Sequence, residues 1–284
     1  MSTASTELAG PKILLTGASG SGKTHSIGTI VDWAAQQSPP REVRVFFIES
    51  GLESLLGYWA DRNLPVPSNL SWHVFRPKAV PFAALQDMAK KVGILSFKSL
   101  SEGVDPDRST NNPYEKFLFA LAKFPDDRTG TNKGNIGEWS SKDILVLDSL
   151  SEIAWIAMKM VIGNKPTASP SDYGVAQNNL INFLRYLTQG FAPTVVMTAH
   201  IQRQQDEITG GVKLMTKAIG KAMADDIPQL FSEVIGSVRD GTAWYWDTAN
   251  SMLDTKTRYL PIQSKIKPDF SQIMEKWVKR GIAS

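Results

Sequence analysis

Cysteine is absent from the 284 residues. No disulfide framework and no zinc–thiolate centre can be built, which agrees with a reducing compartment. Long hydrophobic runs are absent too. No window approaches about 18 consecutive apolar residues, and the first ten residues carry neither a basic nor an apolar stretch, so no membrane span and no signal peptide are expected. A surplus of one charge is also missing: 31 Lys and Arg face 28 Asp and Glu, a net charge of +3. That excludes a histone-like polybasic protein but leaves room for a basic groove made of a few residues. Internal repeats and heptads are absent, which excludes solenoids and coiled coils. The expectation is a globular, cytoplasmic protein without membrane contact, with 42% hydrophobic residues to fill a sizeable core.

What is present is an alternation of strand and helix patterns. Apolar runs at 12–16, 43–48, 70–75, 143–148 and 193–198 read as strands. Helical patterns fall at 23–37, 151–162 and 173–189, and an amphipathic one at 269–280 ends the chain. Segments 231–239, 244–247 and 258–262 read as late strands joined by short turns. Such alternation predicts an α/β fold with a mainly parallel sheet flanked by helices. The pattern breaks in the middle. Residues 81–97 look helical, and 98–142 are rich in Ser, Asn, Asp, Gly and Lys, with a helical island at 114–124. This stretch is expected to be a surface insertion, either merely tolerated or serving assembly or a partner.

Gly17, Ala18, Ser19, Gly20, Ser21, Gly22, Lys23 and Thr24 form the pattern Gly-x-x-x-x-Gly-Lys-Thr between a strand and a helix. That context defines a phosphate-binding P-loop. Glycines let the backbone curl so that several N–H groups converge on a phosphate, and the helix that follows adds its positive end. The Lys23 ammonium reaches the β- and γ-phosphates of ATP, and the Thr24 hydroxyl is a ligand for Mg²⁺.

An apolar strand ending in Asp148 delivers one carboxylate to the sheet edge where ligands of open α/β sheets lie, so Asp148 is a second Mg²⁺ ligand. Hydrolysis also needs a group that orients or deprotonates water. Ser149 follows Asp148 directly, so a carboxylate must come from elsewhere. Glu49, at the end of the second strand, is the first candidate, and Glu53 and Glu152 are alternatives. The strand at 193–198 delivers His200 to the same edge, where an imidazole can hydrogen-bond a γ-phosphate. His25 and His73 have no metal-site spacing and read as structural.

The order of these pieces resembles the RecA-like ATPase core of recombinases and hexameric helicases. The resemblance covers residues 11–60 and 143–265. It implies Glu49 as general base, His200 as γ-phosphate sensor, and Lys256 and Arg258 as a Lys-x-Arg element reaching a neighbouring subunit's ATP site. More narrowly, Leu147-Asp-Ser-Leu-Ser151, Met197-Thr-Ala-His200, Thr216-Lys-Ala-Ile-Gly220 and Asp254-Thr-Lys-Thr-Arg258 resemble phage-encoded nucleotide-binding proteins with a shortened RecA-like core, which serve recombination and single-strand annealing. The implied architecture is one RecA-like P-loop domain over residues 1–284, with an insertion at 98–142 and a C-terminal strand–helix extension. The implied partners are single-stranded DNA, further copies of the chain in a ring or filament, and single-strand-binding or other recombination or replication proteins. The implied location is the cytoplasm of a phage-infected host.

Such cores bind single strands through loops that correspond here to 161–172 and 201–221. The second holds Arg203, Lys213, Lys217 and Lys221 against Asp206 and Glu207. The three lysines are four apart, so a helix lines them on one face as a phosphate-tracking stripe. The alternative is a P-loop ATPase of DNA packaging, or one acting on a protein, without single-strand binding. A small-molecule kinase is the least supported class, because no lid or acceptor motif is recognisable.

Overall fold

The computed structural model describes residues 8–76, 82–83, 86, 89–90, 112–163, 167–205 and 211–282. Strand β1 (Lys12–Gly17) leads through the P-loop to α1 (Lys23–Ala35), followed by β2 (Val43–Phe47), α2 (Leu52–Ala60) and β3 (Leu70–Val74). After α3 (Pro113–Leu121) comes a small hairpin, β4 (Pro125–Asp126) and β5 (Thr131–Asn132). Then follow β6 (Ile144–Asp148), α4 (Leu150–Ile162) and α5 (Pro170–Arg185), which runs on into a π-helical turn at Tyr186–Gly190. The last elements are β7 (Thr194–Gln205), β8 (Val212–Thr216), α6 (Gly220–Leu230), β9 (Glu233–Asp240), β10 (Ala243–Asp247) and α7 (Ser271–Ile282).

The main sheet has the order β10-β9-β1-β7-β6-β2-β3. From β9 to β3 all pairs are parallel; β10 joins antiparallel, and β8 pairs antiparallel with the far half of β7. Residues of β1, β2 and β6 are buried throughout, as continuous apolar runs must be when helices cover both faces of a parallel sheet. One face, with Phe46, Leu145 and Leu147, packs under α3, α4 and α5. The other, with Ile13, Leu15 and Val146, packs under α1, α2 and α7. Local signals fix the helix starts. Ser169 and Asp172 form a capping box ahead of α5, with Pro170 in the first turn.

Because β7 lies between β1 and β6, the carboxyl ends of three parallel strands converge. Gly17 is level with His200, and Leu147 with Met197. This is the edge at which the sequence places the phosphate site. Among the described residues no helix is long and apolar enough to cross a membrane.

Two expectations are corrected. The described part of the insertion, residues 112–142, is largely exposed but sends a stripe of buried side chains into the core. Tyr114, Phe117, Leu121 and Phe124 are buried, and the Phe117 ring meets Phe46 of β2 edge-on with centroids 5.3 Å apart. The spacing of Tyr114, Phe117 and Leu121 by three and four is that of a helix burying one stripe, and Phe124 follows just beyond its end. Arg128 then ties the hairpin down by donating to the carbonyls of Val66, Pro67 and Leu70. Residues 98–111 lie outside the described residues. Of 81–97, only Phe82, Ala83, Gln86, Ala89 and Lys90 are described, and they are helical.

The second correction concerns 258–262, which is not a strand. Thr257 Oγ1 accepts the Leu260 N–H at 2.7 Å, and the buried Glu233 carboxylate takes the Thr257 hydroxyl at 2.6 Å and the Arg258 N–H at 2.7 Å. Those local bonds hold a turn in place of a ladder. Just ahead of it, Lys256 forms an isolated antiparallel bridge to Val234.

Phe117→Ala removes a fully buried ring and should cost about 3–5 kcal/mol of stability. Urea unfolding checks this; a loss below about 0.5 kcal/mol would return 112–142 to the status of a tolerated insertion.

Candidate functional site

The P-loop wraps the N-terminus of α1. Gly20 and Gly22 have φ of +73° and +84°, a region costly for residues with a Cβ. Lys23 crosses the loop, its Nζ donating to the Gly17 and Ala18 carbonyls at 2.9 and 2.8 Å. Burial lowers its pKa, while the charges of Asp148 and Glu49 oppose that shift. Ser21 Oγ is buried with no partner among the described residues, an orphan that a phosphate oxygen satisfies. Thr24 Oγ1 donates to Asp148 Oδ2 at 2.9 Å. Two hard oxygen donors side by side at a P-loop are the set Mg²⁺ takes, so the residues fit the ion.

Asp148 is buried and its other oxygen accepts the Thr198 hydroxyl. Burial raises its pKa; the threonine hydrogen bonds and Lys23 act against the shift. Glu49 follows β2 and is anchored through its neighbour, the Ile48 N–H bonding the Asp148 carbonyl at 2.7 Å. Glu49 Oε2 accepts from His200 Nε2 at 3.0 Å, and Oε1 accepts from the Ser149 hydroxyl. Burial alone pushes its pKa up, but the bonds from His200 and Ser149 and the charges of His200 and Lys23 leave it below the ordinary carboxylate range. It is therefore ionised at neutral pH, as an acceptor of protons must be.

The structure thus brings Lys23, Thr24, Glu49, Asp148 and His200 into one groove of about 360 Å³. Of the three candidate carboxylates, Glu49 alone lines it. Glu53 is exposed and borders an adjoining cavity, and Glu152 sits beside Glu49, its pKa raised by burial and by the Glu49 charge. Lys256 and Arg258 are exposed and line no part of this groove; Lys256 Nζ donates to the Gln229 carbonyl at 3.2 Å.

The lysine stripe is corrected. Residues 201–205 continue β7 and pair with β8, so Lys213 sits on a strand and Lys217 just beyond it. Val212 and Thr216 favour the extended backbone, and Gly220 at φ +73° interrupts any helix from 213 to 221. Lys213 is engaged by Asp225 at 2.9 Å and Asp254 at 3.0 Å. Arg203 and Lys217 are exposed. Lys221 falls in the first turn of α6, its side chain outside the described residues, as are Asp206 and Glu207. In the other loop, α4 ends at Ile162, 164–166 are outside the described residues, and Pro170 begins α5.

Four contributors are not evident from the motifs alone. Thr198 stands two residues before His200, so the period-two rule puts both on one strand face, and that signal was available. Ser149 binds Glu49 with its hydroxyl, and Ser151 accepts the His200 N–H at 3.0 Å. Trp244 borders the groove and donates to the Gly20 carbonyl at 3.2 Å, which only the pairing of β10 on β9 reveals.

The profile of the family described as "AAA domain" matches residues 9–260. Among solved structures, the chain is similar to one described as the assembled ATPase EscN in complex with its central stalk EscO, from the type III secretion system of enteropathogenic E. coli. That likeness has 13% identity and a TM-score of 0.44, and it covers 89% of this chain and 48% of that one. The chain therefore spans about half the length of that protein. Among curated proteins none matches.

A carboxyl whose pKa is raised by folding penalises the folded state once the pH exceeds its unfolded value, and protonation relieves the penalty as pH falls. Asp148 is such a group at neutral pH. Asp148→Asn should therefore raise the thermal midpoint of the nucleotide-free protein while removing the further rise produced by ATP with Mg²⁺. A thermal shift series with and without Mg²⁺–ATP reads both; an unaltered Mg²⁺–ATP increment would remove Asp148 from the metal site.

Proposed function

Because the chain belongs to the AAA domain family of P-loop ATPases, we propose that its ATPase cycle acts on single-stranded DNA in phage-type recombination or strand annealing. The protein hydrolyses ATP and uses Mg²⁺. The observation that carries the site assignment is the Glu49–His200 pair, 3.0 Å apart in the groove that also holds Lys23, Thr24 and Asp148.

In this reading the N–H groups of residues 17–24 and the Lys23 ammonium hold the phosphates, a charge-assisted arrangement that no neutral neighbour replaces. Thr24 and Asp148 hold Mg²⁺, which when bound offsets charge on the phosphate oxygens. Ionised Glu49 orients the attacking water and accepts its proton at a carboxylate oxygen. His200 holds Glu49 in place and is the group placed to hydrogen-bond a terminal phosphate. Residues 1–284 read as a single RecA-like domain.

Contact with DNA is assigned to the β7–β8 hairpin. The His200 carbonyl accepts the Lys217 N–H at 2.7 Å, and Ser151 joins both, accepting from the His200 N–H and donating to the Lys217 carbonyl at 3.1 Å. Any change at His200 therefore reaches an exposed cation directly. Arg203, Lys217 and Lys221 are the proposed phosphate contacts. The likeness of 147–151, 197–200, 216–220 and 254–258 to phage recombination proteins supports the same choice. The pairing of Lys213 with two carboxylates favours the second reading, a hairpin that meets a protein or a packaging partner.

One set of turnover measurements separates these readings. Lys23→Ala should abolish nucleotide binding or turnover, and Glu49→Gln should keep nucleotide but lose roughly 100-fold or more in rate. Single-stranded DNA should accelerate the unaltered protein. Normal turnover in Lys23→Ala would sink the P-loop assignment. Unresponsiveness to DNA, with both variants behaving as described, would leave an ATPase of the packaging or protein-directed kind.

Lys256 and Arg258 are proposed to act in trans on a neighbouring copy, in a ring or filament, where the planar Arg258 fork meets a terminal phosphate. Their exposure outside their own groove is what such a role requires. Arg258→Ala should bind ATP near normally but hydrolyse it slowly, and mixing it with Lys23→Ala should restore part of the rate. No recovery on mixing, together with a specific activity independent of protein concentration, would remove the trans role.

A further inference from the structure

The phosphate groove does not end at the P-loop. From Glu49, Asp148 and His200 it runs past Gly22, His25 and Trp244 toward Gly57 and Asp61. A second cavity of about 470 Å³ opens at the same Gly22, His25 and Trp244 and continues between α1 and the segment ahead of α7. The two spaces meet over these three residues. The inference rests on the ATPase reading above, which puts the γ-phosphate at the Glu49–His200 end. The nucleoside end of ATP then leaves the loop at the opposite side, in the first turn of α1, where His25 directly follows Thr24.

Two aromatic rings border that exit. The Trp244 and His25 centroids lie 4.9 Å apart at 50°, and Tyr58 supports His25 from behind at 5.2 Å. Trp244 is 38% exposed, so part of its indole remains uncovered by the protein. Its position is tied to the loop: the indole N–H donates to the Gly20 carbonyl, and a Cβ on Gly22 would lie 2.7 Å from Trp244 Cγ. Gly22 is thus required twice, for its positive φ and for the approach of this ring.

We propose that Trp244, together with His25, is the platform on which the nucleobase of ATP stacks. A planar heteroaromatic base would cover the uncovered part of the indole, and the adjoining cavity gives it room. Stacking reads a π-face and accepts any purine, so this platform supplies affinity, while base choice rests with polar groups further in. The competing role for Trp244 is a prop for the P-loop alone.

Calorimetry on the full chain with ATP and with inorganic tripolyphosphate, both with Mg²⁺, separates the two roles. Trp244→Ala should weaken ATP by about 5- to 150-fold and leave tripolyphosphate within about 3-fold. Trp244→Phe keeps a ring but loses the indole N–H, and should retain the preference for ATP over tripolyphosphate. Should Trp244→Ala not fold, His25→Ala carries the same comparison with a smaller loss. Equal weakening of both ligands, or no change in either, overturns the platform. Failure of the unaltered protein to bind both ligands overturns the ATP-site reading and the platform with it.

Discussion

A single buried carboxylate organises the working edge of this molecule. Asp148 presents one oxygen to Thr24 on the P-loop helix and the other to Thr198 on β7, and its backbone carbonyl accepts the Ile48 N–H beyond β2. Three segments far apart in sequence are thereby referenced to one residue, two through its side chain and one through its backbone carbonyl. An unpaired ionised carboxylate at that depth is too costly to persist, so each hydroxyl is part of the condition for its burial. The arrangement is half of a metal site: hydroxyl and carboxylate oxygens already face each other at the loop, in a setting that raises the proton affinity of Asp148.

The sheet order makes that meeting possible. With β7 inserted between β1 and β6, the P-loop and Asp148 stand two strands apart, and β7 fills the space between with Thr198 and His200. Glu49 then comes in from β2 on the other side of β6. Four strand ends thus supply four different groups, and none has to be carried on a long flexible segment. The fully buried strands beneath give the edge its rigidity, because a parallel sheet covered on both faces has little freedom to shift register.

Much of this was legible in the sequence. The P-loop spacing is long enough to be specific, and each buried strand declares itself as an apolar run followed by one polar residue, as at Asp148, Glu49 and His200. What stayed hidden has a common cause: contacts that depend on partners distant in the chain. The helical pattern at 114–124 shows in the sequence, but that Phe117 and Phe124 pack on Phe46 of β2 does not. Lys213 looks like the start of a cationic stripe until Asp225 and Asp254 claim it. The turn at Thr257 is imposed by Glu233, more than twenty residues upstream, and overrides a local strand pattern.

Strand β7 joins two mechanical regimes, and His200 marks their border. From Thr194 to Ala199 every residue is buried, held by parallel neighbours on both sides. Beyond His200 the same strand is more exposed and pairs with β8. A strand with fewer buried neighbours and more solvent-facing hydrogen bonds opens at lower free energy. A perturbation arriving at the Glu49–His200 pair is therefore resisted below and yielded to above. The Lys217 N–H on the His200 carbonyl, and Ser151 against both, place the responsive half within one hydrogen bond of the groove. If the hairpin meets the proposed partner, these covalent and hydrogen-bonded links are the shortest path between it and the groove.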